Sequence, residues 1–321
     1  MSVDLSKLLD KPVSELPDGA TGYRSVSEQE VLNTLSDDTD VEIIDADEFL
    51  AQMVVPQTYS LPRTLNTLEW WNVFNQGSIG SCFGCSDSQT ATGVHWLKTG
   101  KVQEFSKFGH YVATQLMTDL QGGKPRSLGE DKGSLPTMGL IVAAKWGYCP
   151  DQHAPEYPRN YKEGMQSYRQ YIEDLKNPDS KIRQAMAPFR MQKYIRITKG
   201  EQITKAKKMG VGFVQLSGKW TEAFDAEPET VSSLGGSLHA QHGGHAFQVM
   251  DLNVNGGFVI GNTWGQKWGD DGCKTMPEHI MDEYLADPMT ICFLKTDMEF
   301  VKGASEPTGP REIPIKSSDW V

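Results

Sequence analysis

No stretch of this 321-residue chain is apolar over anything near the roughly 20 residues that span a bilayer. Even Gly210 to Leu216 is short and closely flanked by Lys and Gly, so membrane insertion is not expected. Cysteine is scarce and odd in number, at five, which argues against a disulfide framework and fits a reducing compartment. Met1 to Asp10 carries acidic groups and no apolar stretch before a small-residue cleavage site, so a secretory signal is not expected and a cytoplasmic location is. Positive charge is also short. Lys and Arg total 31 against 42 Asp and Glu, a formal charge of −11 that opposes binding to a phosphate backbone. The basic cluster Lys199, Lys205, Lys207 and Lys208 reads as the solvated face of a short helix, and no nucleic-acid partner is expected. What is present, 38% hydrophobic and 23% charged residues, suits a globular protein of one large domain with extensions.

Residues 1–56 are acidic and weakly patterned, an N-terminal extension with one short helix around Ser27 to Leu35. Val41 to Pro56, with Ile43, Ile44, Phe49, Leu50, Met53 and Val54, is its part best able to lie on the domain or on a partner. From Leu68 the texture changes, and Asn75-Gln-Gly-Ser-Ile-Gly-Ser81 forms a turn-rich lead into Cys82. A helix is predicted after it, with Phe83, Thr90, Val94 and Leu97 near helical spacing and Gly100 as its stop. Further helices are predicted over Phe105 to Leu120, stopped by Gly122-Gly123, then over Leu135 to Trp146, Glu163 to Leu175, Lys181 to Pro188 and Glu201 to Met209, with a loop at Asp151 to Pro158. Strands are predicted at Tyr194–Ile197, Val211–Leu216, His245–Leu252 and Gly256–Ile260, the last two as a hairpin around Asn253-Val-Asn-Gly. The Pro-containing tail, residues 302–321, reads as an extended surface segment. Helices in the first half and strands in the second predict two subdomains with a cleft between them.

Cys82, in the first turn of its helix, meets unpaired backbone N–H groups and a dipole that favour a thiolate. A cysteine nucleophile needs a base, and His245 opens a strand in Gly243-Gly-His-Ala-Phe-Gln-Val249. That His needs an acceptor to fix its ring, which Asn262 on the adjacent hairpin strand can supply. The side-chain amide of Gln76 can donate, with the Cys82 N–H, to an oxyanion.

These blocks resemble the papain-like cysteine peptidases. That family's pattern is Gln-Gly-Ser-Cys-Gly-Ser-Cys-Trp, a later His-Ala, then Asn-Ser-Trp-Gly-x-x-Trp-Gly. Here the chain reads Gln76-Gly-Ser-Ile-Gly-Ser-Cys82-Phe83, His245-Ala246 and Asn262-Thr-Trp264-Gly-Gln-Lys-Trp268-Gly269. Asp131-Lys-Gly133, Gly147-Tyr-Cys-Pro150 and Met276-Pro277 resemble a branch found in bacteria and their viruses. The resemblance implies an α+β fold with a helical left and a β-rich right subdomain, within a peptidase domain over residues 57–301. It implies peptide-bond hydrolysis through an acyl-enzyme thioester, with no cofactor and no metal. Cys82 is then the nucleophile, His245 the base and acid, Asn262 the orienter and Gln76 the oxyanion donor. Gly133, Ala246 and Trp264 would lie along the substrate, Trp264 also shielding the His–Asn hydrogen bond. Ile79 stands where secreted relatives carry a disulfide cysteine, Phe83 replaces Trp, and Thr263 replaces Ser.

Other readings exist for some of these residues. Cys82 and Cys85 form a C-x-x-C, a redox or zinc signal elsewhere, and zinc would need His239, His242 and His245. With no second C-x-x-C, Cys85 is expected as a core residue and no metal is expected. His95, His110, Trp70, Trp71 and Trp146 are expected as packing residues. The rival function is a binding or structural module of a larger assembly such as a virion, docked through the tails.

Overall fold

The computed structural model describes residues 27–36, 41–53, 70–121, 127–191, 193–235 and 244–296. The chain runs α1 (Glu28–Ser36), β1 (Glu42–Asp45), α2 (Ala46–Ala51), α3 (Cys82–Thr99), α4 (Lys107–Leu120), α5 (Pro136–Lys145), α6 (Tyr161–Ser167), α7 (Arg169–Lys176) and α8 (Lys181–Met186). Then follow β2 (Lys193–Arg196), α9 (Gly200–Met209), β3 (Phe213–Gly218), α10 (Ala223–Ala226), β4 (His245–Leu252), β5 (Phe258–Gly261), β6 (Cys273–Met276), α11 (Glu278–Ala286) and β7 (Ile291–Lys295). Helices thus precede a β-rich half, as the sequence pattern requires.

Local chemistry sets several boundaries. Ser106 caps α4 by accepting from the Gly109 N–H, and Pro136 opens α5 where a missing N–H costs nothing. Gly100 and Gly210 end α3 and α9 in the left-handed conformation, each returning its N–H to the last turn. The single helix expected over Glu163 to Leu175 is two, broken at Tyr168. That ring is fully buried against Phe108, 4.8 Å between centroids, and its hydroxyl donates to Pro155 O at 2.5 Å. Anchoring one side chain so deeply overrides the helical period there.

Among the described residues one seven-stranded sheet has the order β1-β2-β7-β3-β4-β5-β6. The β1–β2 pair is parallel and the remaining pairs are antiparallel. Strand alternation divides the core. Phe213, Ala246 and Met250 join the helical cluster of α3, α4 and α5, while Val214, Leu216, Phe247 and Val249 face the opposite cluster with residues of α2, α9 and α11. The β4–β5 hairpin closes through Asn253, whose N–H donates to Gly257 O at 3.0 Å. Residues 42–51 of the N-terminal region lie on the domain itself, with Ala46 and Leu50 buried. Glu28 of α1 holds Arg196 of β2 through two contacts of 2.6 and 2.7 Å. Residues 54–69, 122–126 and 297–321, which include Val54, Gly122-Gly123 and the Pro-containing tail, lie outside the described residues. Among the described residues no helix is long and apolar enough to cross a membrane.

Lys207 corrects one expectation. It is not on a solvated face but 7% exposed, with Nζ donating to Met250 O at 2.9 Å and lying 4.4 Å from the Phe213 ring centre. Its long apolar stem is what lets a lysine turn inward in this way.

Candidate active site

The residues before Cys82 and those after Asn262 are stitched together along the backbone. The Gln76 N–H donates to Thr263 O at 2.8 Å, the Gly265 N–H to Phe74 O at 2.9 Å, and Asn75 bridges to Trp264. Gly77 takes φ 62, where Asn75 Oδ1 accepts its N–H at 2.9 Å and bends the chain toward α3. The Gln76 carboxamide is fixed at both ends: Nε2 donates to Ile79 O at 2.8 Å, and Oε1 accepts from Thr263 Oγ1 at 2.5 Å. Thr263 therefore keeps the hydroxyl of the Ser it replaces.

Cys82 is the first residue of α3 and is fully buried. Phe83 beside it lies against Gly139 of α5, where a Cβ would collide with the ring. Gly84 lets α4 approach as closely, since a Cβ there would sit 2.9 Å from Lys107 O and 3.0 Å from Tyr111 N. Two glycine contacts thus fix the first turn of the cysteine helix against its neighbours. None of the five cysteines is in a disulfide. Burial pushes Cys85 up to about 11 and Cys149 up to about 12, and raises Cys273 and Cys292 as well. These four are held as neutral core thiols, Cys85 beside Ser81 Oγ at 3.4 Å.

His245 and Asn262, 17 residues apart in sequence, are brought together: His245 Nε2 lies 2.6 Å from Asn262 Oδ1, and both residues are fully buried. Asn262 Oδ1 also accepts the Thr263 N–H at 2.7 Å, which orients the amide oxygen toward the imidazole. The bond is roofed by aromatic rings. Trp264 lies 4.6 Å from His245 at 43°, and Trp220 meets the same ring edge-on, also at 4.6 Å. Trp220 was not singled out by sequence. It follows β3, whose Gly218 is in register with His245, and its indole N–H donates to Asp225 Oδ2 at 3.2 Å. Trp268 donates to the other oxygen of Asp225 at 2.9 Å, so one carboxylate fixes two of the three tryptophans.

Of the expected substrate positions, Gly133 is buried with φ 76, and its N–H donates to Tyr111 OH at 3.2 Å. Ala246 is fully buried and belongs to the cluster that also holds Cys82. Trp264 is half-buried. His95 and His110 are packed in the core, and burial pushes His110 down to about 3. Trp70 and Trp146 are also packing residues. His239 and His242 lie outside the described residues.

The same architecture occurs in known proteins. Xylellain, a cysteine protease from Xylella fastidiosa, superposes with a TM-score of 0.62 over 89% of this chain and 100% of its own, at 17% identity. The fold is papain-like. The proform of the Amb a 11 cysteine protease, a ragweed pollen allergen, superposes on this papain-like chain with a TM-score of 0.53 over 79% of it and 70% of the allergen, at 16% identity. In sequence, the chain is 25% identical over 249 residues to an uncharacterized peptidase C1-like protein of Acanthamoeba polyphaga mimivirus, covering 74% of this chain and 73% of that one. It is 22% identical over 233 residues to procathepsin L of Rattus norvegicus, spanning 60% of that protein's length. These likenesses support a place among the papain-like cysteine peptidases. No protein-family model matches the chain.

Proposed function

We propose that this protein is a cysteine-type endopeptidase in which Cys82, His245, Asn262 and Gln76 carry the chemistry. The observation that carries the reading is the buried 2.6 Å contact between His245 Nε2 and Asn262 Oδ1 under two tryptophans, in a fold whose cysteine opens a helix. With Nε2 committed to Asn262, Nδ1 is the nitrogen that serves the Cys82 proton. Cys82 Sγ attacks the scissile carbonyl carbon. The oxyanion is received by the Cys82 N–H and by one Gln76 Nε2 hydrogen, the other being held by Ile79 O. Collapse breaks the C–N bond as His245 protonates the leaving amine, giving a thioester. His245 then takes a proton from water, which attacks the thioester, and Cys82 leaves as thiolate.

The bacterial and viral branch is the finer proposal, supported by Asp131-x-Gly133, Gly147-x-Cys-Pro150 and Met276-Pro277. Five cysteines with no disulfide among them favour a reducing compartment. The substrate is a peptide or protein, and the terminal segments are the candidates for docking to a larger assembly. The test is labelling with a peptidyl electrophile followed by mapping of the modified residue. Label on Cys82, and loss of both label and peptide turnover in a folded Cys82→Ala protein, are expected. Label on Cys85 or Cys149 would refute the assignment.

A further inference from the structure

The loop ending at Gly133 is tied to the loop that precedes Cys82 by one carboxylate. Asp131 Oδ1 accepts the Gly80 N–H at 3.0 Å and the Tyr111 hydroxyl at 2.7 Å. The same Tyr111 oxygen accepts the Gly133 N–H at 3.2 Å. Hydrogen bonds therefore run from Gly133 through Tyr111 to Asp131, where they meet the bond from Gly80, two residues before the cysteine. Tyr111 is itself immobilised. It is fully buried, and Gly84 of α3 admits its backbone to within 3.0 Å of where a Cβ would stand. The loop behind Asp131 is braced separately, by Gln115 Nε2 donating to Glu130 O at 3.0 Å and by the Gly129 N–H donating to Tyr161 OH at 2.9 Å.

We infer that Asp131 is a positioning residue for peptide hydrolysis, a carboxylate strut that holds the loop before Cys82 in register with the loop bearing Gly133 through Gly80 and Tyr111. The inference rests on the peptidase reading above. Three features separate it from a routine loop contact. A carboxylate bond to a backbone N–H is charge-assisted, and here one oxygen gathers donors from two elements 20 and 51 residues away in sequence. The anchored amide belongs to Gly80, inside the turn that aims Cys82 and Gln76. Ile79, the residue before it, is buried and offers no side-chain cross-link of its own. The Cys82 helix and the His245 strand are meanwhile joined elsewhere, through Thr90 Oγ1 donating to Gln248 Oε1 at 3.3 Å. Losing the strut should therefore misplace the oxyanion donors and the substrate path while leaving the cysteine–histidine pair in place.

The experiment compares two rates in the full chain: alkylation of Cys82 by iodoacetamide, which needs only the activated thiol, and labelling by a peptidyl electrophile, which also needs the loops. Asp131→Ala should lower peptidyl labelling and kcat/KM by about tenfold to a hundredfold, the loss that follows a misplacement of about an ångström, with iodoacetamide alkylation little changed. Asp131→Asn keeps an acceptor oxygen and should recover most of the loss. Tyr111→Phe should lower the peptidyl rate alone, and its combination with Asp131→Ala should be no worse than Asp131→Ala. Parallel loss of both rates, additive losses in the double variant, or Asn behaving like Ala would overturn the strut. A wild-type chain that takes iodoacetamide at Cys82 but ignores every peptidyl probe would instead refute the peptidase reading. The strut would then be judged by amide hydrogen exchange. Asp131→Ala must speed exchange in residues 78–82 and 129–133 together, and faster exchange in only one of the two would refute it.

Discussion

Asn262→Ala deletes the acceptor of the His245 Nε2 proton and leaves the imidazole to be oriented by weaker contacts, among them its packing against Trp220 and Trp264. The bond is short, its partners are fully buried, and the imidazole is cationic whenever it pairs with a thiolate. A hydrogen bond to a charged group contributes about 1.5–3 kcal/mol, which at roughly 1.4 kcal/mol per decade is about a 10- to 150-fold loss of kcat/KM. The ring still packs against both indoles, themselves 5.3 Å apart, so part of its orientation survives without Asn262. His245→Ala, which removes the base itself, should cost more, toward the upper end of the roughly hundredfold to ten-thousandfold range of acid–base catalysis. Losing an acceptor also disfavours the cation, so the alkaline limb of the rate profile should move to lower pH in the variant. A fluorogenic peptide assayed across pH, with circular dichroism to verify folding, measures all of this. Equal losses for the two variants in folded protein, or an alkaline limb that stays in place, would refute the orienter role.

Thr263→Val removes the hydroxyl that donates to Gln76 Oε1, and should lower kcat/KM about two- to tenfold in the same assay, while Thr263→Ser should preserve it. Lys295→Met strands the Asp87 carboxylate, which is fully buried between Lys295, the Tyr148 hydroxyl at 2.8 Å and His110 Nε2 at 2.8 Å. Breaking such a pair costs about 3–5 kcal/mol, so the thermal midpoint should fall by about 6–10 °C, and adding Asp87→Asn should restore much of it. Burial pushes Lys207 down to about 8, so from there to about 10.4 the unfolded chain holds a proton that the native chain has shed, and native stability rises with pH across that window. Lys207→Met should lack this contribution of about 3 kcal/mol, visible in denaturant titrations at pH 7.5 and 10 as a stability difference that favours the variant at the lower pH.

The blocks of the candidate site were legible because their signals are local. A glycine-punctuated turn before a helix, a strand opening on His245 and a hairpin returning through Asn262 each declare themselves within ten residues. Leu97 and Asp87 show where local reading stops. Helical spacing groups Leu97 with Phe83, Thr90 and Val94, yet it is 38% exposed where those three are buried, while Asp87 is fully buried. From Cys82 to His95 that helix is enclosed on every side, so the apolar stripe of a surface helix does not apply. The short strands β6 and β7 carry no clean alternation, and in β7 every residue is buried. The Trp220 and Asp225 roof was illegible for a different reason. It exists only because β3 pairs with β4 in a register that no turn between them encodes, and Trp220 acquires its meaning from that pairing.

The burial of α3 explains why its enclosed face is so polar. An apolar helix between two subdomains could slide by a turn at little cost, since dispersion contacts are non-directional. Here Asp87 fixes one register against Lys295 of β7, and Thr90 and Gln89 fix another against Gln248, three residues along β4 from His245. Each bond is directional, and a slipped helix would leave buried polar groups unmatched, at a cost of about 1–3 kcal/mol apiece. Such a network contributes little net stability relative to a hydrophobic interface, because its desolvation cost is high. What it supplies is a single allowed offset between the element carrying the cysteine and the strand carrying the histidine. The proposed reaction, which joins Cys82 and His245 across two elements, needs that fixed offset more than it needs extra stability.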